Sequence, residues 1–441
     1  MNIPELYQIY LQHPSAQTDT RKVKQGDIFF ALKGPNFNGN SFALKALEAG
    51  AAYAVVDEEV DGADTRIINV KDVLEALQAL AKHHREQFNI PFIGITGSNG
   101  KTTSKELMYA VLSSHYKTYT TQGNLNNHIG VPLTLLSVRS DAEMAVIEMG
   151  ANHQKEIEGY CVYTQPTHGV ITNCGKAHLE GFGGEEGVRK GKGELFDYLA
   201  AHGGTAFIYA DYDYLKDMSK HVKHIVQYGQ EEGMVQGGDS VKHVIETSNG
   251  RTKTTSSAPF LGVSISTGFK ERTYIQTQLV GHYNLPNILC ATVIGKYFSV
   301  PEEKIKAAIE NYTPTNSRSQ LIEKEGNTII LDAYNANPSS MYAAIVNFSQ
   351  IHAAKKVLML GGMMELGAES LEEHKNIIQL IQQFSWKQVV LVGGDFAKID
   401  HPFIFLPDSL EAKKWFTKQK FKKTHVLIKG SRSMQMEKIL A

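Results

Sequence analysis

The sequence has little cysteine. Three thiols, Cys161, Cys174 and Cys290, stand in 441 residues, and no two are spaced as a CxxC pair. Such usage argues against a disulfide framework and suits a reducing compartment. Long hydrophobic runs are missing as well. Apolar residues make up 42% of the chain, yet no stretch approaches the ~20 consecutive apolar residues of a membrane span. No sign of charge dominates. The 45 Lys and Arg against 46 Asp and Glu leave a net charge of −1, so no overall field draws the chain to nucleic acid or an anionic membrane. The opening MNIPELYQIYLQHPSAQ lacks the basic start and apolar core of a secretory signal. The expectation is a cytoplasmic protein without membrane insertion and without a nucleic-acid partner. We find no internal repeat and no low-complexity tract.

What is present reads as three α/β units, in keeping with about 150 residues per domain. In the first, residues 1–88, IFFALKG (28–34), AAYAVVD (51–57) and RIINV (66–70) are strand candidates. FALKALEAG (42–50) reads as a helix stopped by Gly50. Val73, Leu77, Leu80 and Ala81 fall at helical spacing within 71–88, and Pro91 marks a boundary. In the second unit, 89–312, PFIGIT (91–96), MAVIEM (144–149) and HGVIT (168–172) are continuous apolar runs, the pattern of buried parallel strands. A polar stretch at 229–258 reads as hairpins or loops, and an apolar helix follows at 285–298. In the third, 313–441, TIILDAY (328–334), KVLMLGG (356–362), QVVLVGG (388–394) and HVLIKG (425–430) are strand candidates separated by helical stretches. That alternation outlines a doubly wound domain.

The most informative stretch is GITGSNGKTTSKELMYAVLSS (94–114). A strand ends, a glycine-rich loop follows, and a helix begins. Gly97 and Gly100 let backbone N–H groups turn inward around phosphates, and the helix aims its N-terminus at them. Lys101 can bridge terminal phosphates, and the Thr102 hydroxyl suits Mg²⁺. The loop is not a strict Walker A, because Ile95 stands where that pattern has its first glycine.

Glu148 ends the strand MAVIEMG. A carboxylate outside the C-terminal end of a parallel strand, beside a phosphate loop, is placed to hold Mg²⁺. His178 lies in TNCGKAHLEGFGG (172–184), a glycine-rich loop that should open on the same edge. Lys192 lies in RKGKGELFDYL (189–199) with Lys190 close by. A protonated lysine cannot bind a metal, so the residues alone give it no role.

Together these stretches resemble the Mur ligase family. TGSNGKTT (96–103) resembles that family's ATP loop, and GNLNNHIGVP (123–132), VIEMGA (146–151), AHLEGFG (177–183) and KGELF (192–196) follow in its order. DAYNANPSSM (332–341), MMELG (363–367) and KGSRSM (429–434) resemble the branch that adds D-alanyl-D-alanine to a UDP-linked muramoyl tripeptide, YNANP being the most discriminating piece. The likeness spans nearly the whole chain. It implies a small N-terminal domain for the UDP substrate, a central P-loop ATPase-like parallel-sheet domain, and a C-terminal Rossmann-like domain for the incoming dipeptide. It implies a monomer using ATP, UDP-N-acetylmuramoyl-tripeptide and D-alanyl-D-alanine.

The resemblance also assigns residues. Thr96, Gly97, Ser98, Asn99, Gly100, Lys101, Thr102 and Thr103 would cradle ATP. Asn284 and Asn287 of GHYNLPN (281–287) would meet the adenine, although an asparagine there can equally cap the following helix. Arg318 and Asp332 would reach the γ-phosphate region and the ribose. The lysine matching Lys192 is carbamylated by CO2 in that family. Thr102 and Glu148 would then hold a first Mg²⁺, and Glu148, His178 and the Lys192 carbamate a second. Asn126 and Asn127 would lie near the nucleotide and the substrate carboxylate, or shape a turn. Thr20 and Arg21 would contact the UDP moiety. Tyr334, Asn335 and Asn337 would shape the dipeptide site, with Lys429, Ser431 and Arg432 beside them. Three places depart from the family pattern: Gly362 where Asp is frequent, Tyr283 where His is frequent, and Asn38-Gly39-Asn40 in place of Asp-Gly-His.

Sister ligases share the ATP machinery, whether the one adding the third residue of the same peptide or a folylpolyglutamate-type synthase. YNANP and the UDP-like N-terminal region separate them from this chain. A P-loop GTPase switch would carry an Asn-Lys-x-Asp signature, and none is present. A plain P-loop kinase would not need the third unit.

Overall fold

The computed structural model describes residues 1–60, 64–229, 260–266, 272–315 and 317–441. The polar stretch expected as hairpins or loops at 229–258 lies, from residue 230 on, outside the described residues.

The N-terminal sheet is parallel throughout: β1 Ala16–Gln17, β2 Ile28–Phe30, β3 Tyr53–Val56 and β4 Ile67–Asn69, in that order. The strand expected at 28–34 stops at Phe30. Gly39 sends its N–H to the Leu32 carbonyl, and a Cβ on Gly39 would sit 2.3 Å from that same oxygen. The backbone therefore turns there instead of running on. Two helices fasten this sheet to the next. Helix α1, Ile3–Gln12, starts from Asn2 and Glu5, which bond each other's backbone N–H groups. Helix α2, Val73–Arg85, is capped by Asp72 and buries Val73, Ala76, Leu77, Leu80 and Ala81, the apolar stripe that its spacing predicts. His84 lies between Tyr7 Oη (3.1 Å) and the Val138 carbonyl (2.9 Å), and Arg85 donates to the carbonyls of Thr164 and Gln165, both at 2.9 Å.

The central sheet contains β5 Phe92–Thr96, β6 Thr118–Thr120, β7 Met144–Glu148, β8 His168–Ile171, β9 Thr205–Tyr209 and β10 His224–Tyr228. Its order is β10-β9-β8-β5-β7-β6, all parallel. Every residue of β5 and β7 is buried, because helices cover both faces, and this explains the unbroken apolar runs. The chain leaves β5 toward β6 on one side and later returns to β8 on the other. That reversal opens a crevice at the C-terminal end of β5. Helix α3, Lys101–Ser113, begins there. An antiparallel strand pair, β11 Phe260–Ser266 and β12 Arg272–Val280, leads into helix α5, Leu285–Tyr297, after the long helix α4, Glu185–His202. All residues from Asn287 to Gly295 are buried. A helix apolar on every side must lie inside the protein, and α5 packs on α3.

The C-terminal sheet has six strands where the sequence suggested four. They are β13 Gln320–Lys324, β14 Asn327–Asp332, β15 Lys356–Gly361, β16 Gln388–Val392, β17 Ile404–Leu406 and β18 His425–Lys429. The order is β13-β14-β18-β15-β16-β17, antiparallel only at β13. The two additions are edge strands, half-buried or exposed: Gln320, Glu323 and Lys324 break the apolar pattern of β13, and β17 is only three residues long, flanked by Pro402 and Pro407. Helix α6, Pro338–Gln350, follows β14, and helix α7, Ser370–Gln382, follows β15.

Candidate functional site

A cavity of about 910 Å³ lies between the C-terminal ends of the central and C-terminal sheets. Its central wall is built on β5. Gly100 sits at φ +79 before α3, and no side chain caps that helix. A Cβ at Gly100 would come within 2.6 Å of Asn287 Oδ1, so glycine is required both for the turn and for the approach of α5. The uncapped N–H groups of α3 point at the cavity, which favours an anion there. Lys101 curls back and donates from Nζ to the Gly97 carbonyl at 2.6 Å. Burial holds its ammonium below the usual lysine range, opposed by Glu148 and aided by Arg318. The loop is braced from β8: Asn173 accepts from Ser98 N (2.8 Å) and, through Oδ1, from Asn99 N (3.0 Å).

The register Ile95↔Glu148 sets the β7 carboxylate beside the loop. Thr102 Oγ1 (3.1 Å) and Asn126 Nδ2 (2.8 Å) both donate to Glu148 Oε1. Oε2 is buried and has no hydrogen-bond partner among the described residues. A buried carboxylate oxygen left over next to a threonine hydroxyl fits a divalent cation with oxygen ligands. His178 lines the same cavity, with the backbone at φ +53. Among the described residues no cluster of three His, Cys, Asp or Glu side chains forms. Lys192 lies behind the wall, 1% exposed, with Nζ 3.0 Å from the Ala151 carbonyl and 4.7 Å from the Phe182 ring centre. Burial first, and then the charge of Lys101, lower its pKa to about 7. Much of it is therefore the free amine at neutral pH, the form that reacts with CO2.

The C-terminal wall carries a different chemistry. The register Asp332↔Lys429 pairs the ends of β14 and β18, and Lys429 Nζ lies 2.6 Å from Asp332 Oδ2 and 3.2 Å from the Asn335 carbonyl. Ser319 N donates to Asp332 Oδ1 at 3.2 Å. The Arg318 guanidinium stacks 3.5 Å from the Tyr334 ring centre, and that of Arg432 lies 5.5 Å from the same ring. Asn337 caps α6 and reaches across to Asn99, Nδ2 to Oδ1, at 2.8 Å. The walls are thus in direct contact at the phosphate loop.

The cavity gathers Ser98, Asn99, Gly100, Lys101, Thr102, Thr103, Asn126, Asn127, Glu148, His178, Asn284, Asn287, Arg318, Asp332, Tyr334, Asn335, Asn337 and Lys429. Thr96 and Gly97 support the loop from beneath, and Ser431 is spent on the Gly362 carbonyl at 2.7 Å. Thr20 and Arg21 are not brought to the cavity; the Arg21 side chain is 86% exposed and pairs with its neighbour Asp19 at 2.8 Å. Asn127 plays the turn role, accepting from Ile129 N (3.2 Å) and Gly130 N (2.9 Å). The capping alternative for Asn284 and Asn287 fails, since no side chain caps α5. They bond each other, and Asn287 accepts from Ser104 Oγ at 2.9 Å.

The three departures have physical reasons. A side chain at position 362 would meet Gly394 Cα at 2.7 Å. Tyr283 Oη bonds Ser319 Oγ at 2.8 Å, tying the turn before α5 to the C-terminal wall. Asn40 is buried and exchanges two bonds with Asp57, Nδ2 to Oδ1 at 2.8 Å and N to Oδ1 of Asn40 at 3.0 Å. Sequence reasoning missed Thr121, whose hydroxyl accepts from Glu148 N, and Lys105, whose buried Nζ holds the Thr121 carbonyl at 2.7 Å. A second lysine four residues along the helix from Lys101 was the available signal.

Three family models match in order: "Mur ligase family, catalytic domain" over residues 16–85, "Mur ligase middle domain" over 95–295, and "Mur ligase, glutamate ligase domain" over 317–432. The chain is 35% identical to the UDP-N-acetylmuramoyl-tripeptide–D-alanyl-D-alanine ligase of Haemophilus influenzae, covering 98% of this chain and 93% of that one. It is 33% identical to the Escherichia coli enzyme of the same name, over 96% and 92%. Among solved structures, MurF from Acinetobacter baumannii superposes with a TM-score of 0.84 at 30% identity, covering 97% and 92% of the chains. MurF from Thermotoga maritima in complex with ADP gives 0.83 at 25% identity, over 98% and 97%.

Proposed function

The chain belongs to the Mur ligase family, and from that premise we propose how its cavity works. It is an ATP-dependent ligase that joins D-alanyl-D-alanine to UDP-N-acetylmuramoyl-tripeptide in the making of peptidoglycan precursors. The observation that carries this is the near-complete likeness to ligases of that name on both chains' lengths. Supporting it, the YNANP segment faces the phosphate loop across one cavity.

A carboxylate is a poor electrophile and must be activated. The terminal carboxylate oxygen of the tripeptide attacks the γ-phosphorus of ATP, and ADP leaves. The neutral amine of D-alanyl-D-alanine then attacks the acyl-phosphate carbonyl; phosphate leaves, the amide forms and the amine's proton is lost. The first step brings two anions together. Lys101 and the N–H groups of α3 lower that repulsion at the phosphates. Thr102 and Glu148 would hold one Mg²⁺, and Glu148, His178 and a carbamate on Lys192 a second. Such ions would supply charge neutralisation at the phosphates. The free Glu148 Oε2 supports the first site; a carboxylate made on Lys192 would give the second its missing acidic group. Arg318 and Asp332 would serve the γ-phosphate region and the ribose, Asn284 and Asn287 the adenine. Tyr334, Asn335, Asn337, Arg432 and Lys429 would serve the dipeptide. Water would hydrolyse the acyl phosphate, so the site must exclude it once the substrates are bound.

We divide the work among residues 1–88 for the UDP substrate, 89–312 for ATP and 313–441 for the dipeptide, in a cytoplasmic monomer. No described helix is long and apolar enough to cross a membrane. The deciding assay is phosphate release from ATP with UDP-muramoyl-tripeptide, with and without D-alanyl-D-alanine. Release that needs both, with a pentapeptide by mass, is expected. Release that ignores the dipeptide and follows another amine would move the chain to a sister ligase. For the carbamate, Lys192→Ala should lose activity and regain part of it with added short carboxylates; full activity of the bare variant would remove it.

A further inference from the structure

The stretch MMELG (363–367) has no task in the mechanism above. It follows β15, and its glutamate reaches the central wall. Glu365 Oε2 lies 2.5 Å from His178 Nδ1. Nδ1 is buried, and among the described residues no group other than the Glu365 carboxylate is placed to take its proton. Both residues adopt left-handed backbone, φ +63 at Glu365 and +53 at His178. Two non-glycine residues in that region, face to face across two sheets, show that the surrounding fold constrains both.

The flanks repeat the docking. Lys176 Nζ meets Glu373 Oε1 at 2.7 Å, and Lys176 N donates to Ser339 Oγ at 2.9 Å. Gly367, at φ +55, leaves room for Glu180, whose Cβ would be 3.2 Å from an added side chain. Among the described residues no hydrogen bond engages His178 Nε2, and the residue lines the cavity.

The geometry points to Glu365 as a positioning residue that acts through His178. A carboxylate beside one ring nitrogen keeps the proton there and fixes the ring, which leaves the other nitrogen as the lone-pair donor. Here the carboxylate arrives on the C-terminal sheet. The histidine of the central wall is therefore oriented only when the dipeptide-binding wall has docked. Assembly of the activating site is tied in this way to the presence of the domain that supplies the second substrate. The kinetic side of this inference rests on the ligase reading; the tautomer side does not.

The test uses the full chain, labelled with 15N-histidine and free of metal. Two-bond proton–nitrogen spectra report the tautomer of His178, assigned with His178→Gln. In the unmodified chain Nδ1 should carry the proton. Glu365→Ala should mix the tautomers, and Glu365→Gln should restore the ordering in part. In ligation, Glu365→Ala should lower kcat about 10- to 100-fold with KM for ATP unchanged, and Glu365→Gln should recover some of it. Glu373→Gln breaks the neighbouring contact to Lys176. It should raise KM for the dipeptide and leave kcat and the His178 signals alone. An unaltered His178 spectrum in Glu365→Ala overturns the inference, as does a Glu365→Ala effect confined to KM like that of Glu373→Gln. A chain that fails to ligate at all overturns the ligase reading, and the spectra still decide the role of Glu365.

Discussion

On the central wall Glu148, Asn126, Thr102 and the phosphate loop hold one another before any substrate arrives, and the side chains of Lys105 and Lys192 are buried close by. On the C-terminal wall two guanidiniums lie against the Tyr334 ring, and one buried ion pair, Asp332–Lys429, stands behind them. Both walls sit at the C-terminal ends of parallel strands, the usual place for ligands in open α/β sheets. The difference is in what each must do. Groups that stabilise charge during a reaction work best when fixed in advance. Groups that admit a substrate need planar, forked donors that meet a carboxylate from outside.

The largest effect should come from the central wall. Lys101→Ala should lower kcat for phosphate release about 10²- to 10³-fold, while ADP-independent binding of the tripeptide, read by calorimetry, stays unchanged. A loss seen in KM alone would erase the distinction between the walls. Next, Arg432→Ala should raise KM for D-alanyl-D-alanine about tenfold with kcat held, the signature of lost ground-state binding; a fall in kcat of that size would place Arg432 with the reacting groups. Gly100→Ala forces a non-glycine residue to φ +79 against Asn287. It should cost about 1–3 kcal/mol, read as a lower urea midpoint and weaker ADP binding. Asn337→Ala removes the cap of α6 and the link to Asn99, for a loss of about 1 kcal/mol in the same denaturation.

His168 belongs to neither wall and offers a control. It lies at the far end of β8 from the cavity, among Phe207, Tyr297 and Phe298. Burial lowers its pKa from 6.5 to about 4. The native state keeps it neutral while the unfolded chain protonates. Stability should therefore be flat above pH 6.5 and fall as pH drops toward 4. His168→Gln should flatten that fall in urea titrations without changing the kinetics at pH 7.

Much of the central wall was legible beforehand. Strand, glycine-rich loop, helix and strand-end carboxylate are all local patterns, and each named residue from Ser98 to Thr103 lines the cavity, as does Glu148. The strand at 28–34 was drawn too long because apolar residues run on past the point where Gly39 closes a turn against Leu32. The edge strands β13 and β17 escaped because neither has a buried residue and β17 is only three residues long. Thr20 and Arg21 were chosen by resemblance alone, and their place in the fold is an exposed turn.

By itself the sequence determined the phosphate loop, the parallel sheets and the identity of the groups beside them, because each depends on neighbours within a few residues. Only the tertiary structure decided who meets whom. It set Asp332 against Lys429, Asn337 against Asn99 and Glu365 against His178. Those partners are 97, 238 and 187 positions apart, the reach of whole domains. No local pattern encodes such pairs, because strand order and the docking of one sheet edge on another bring them together.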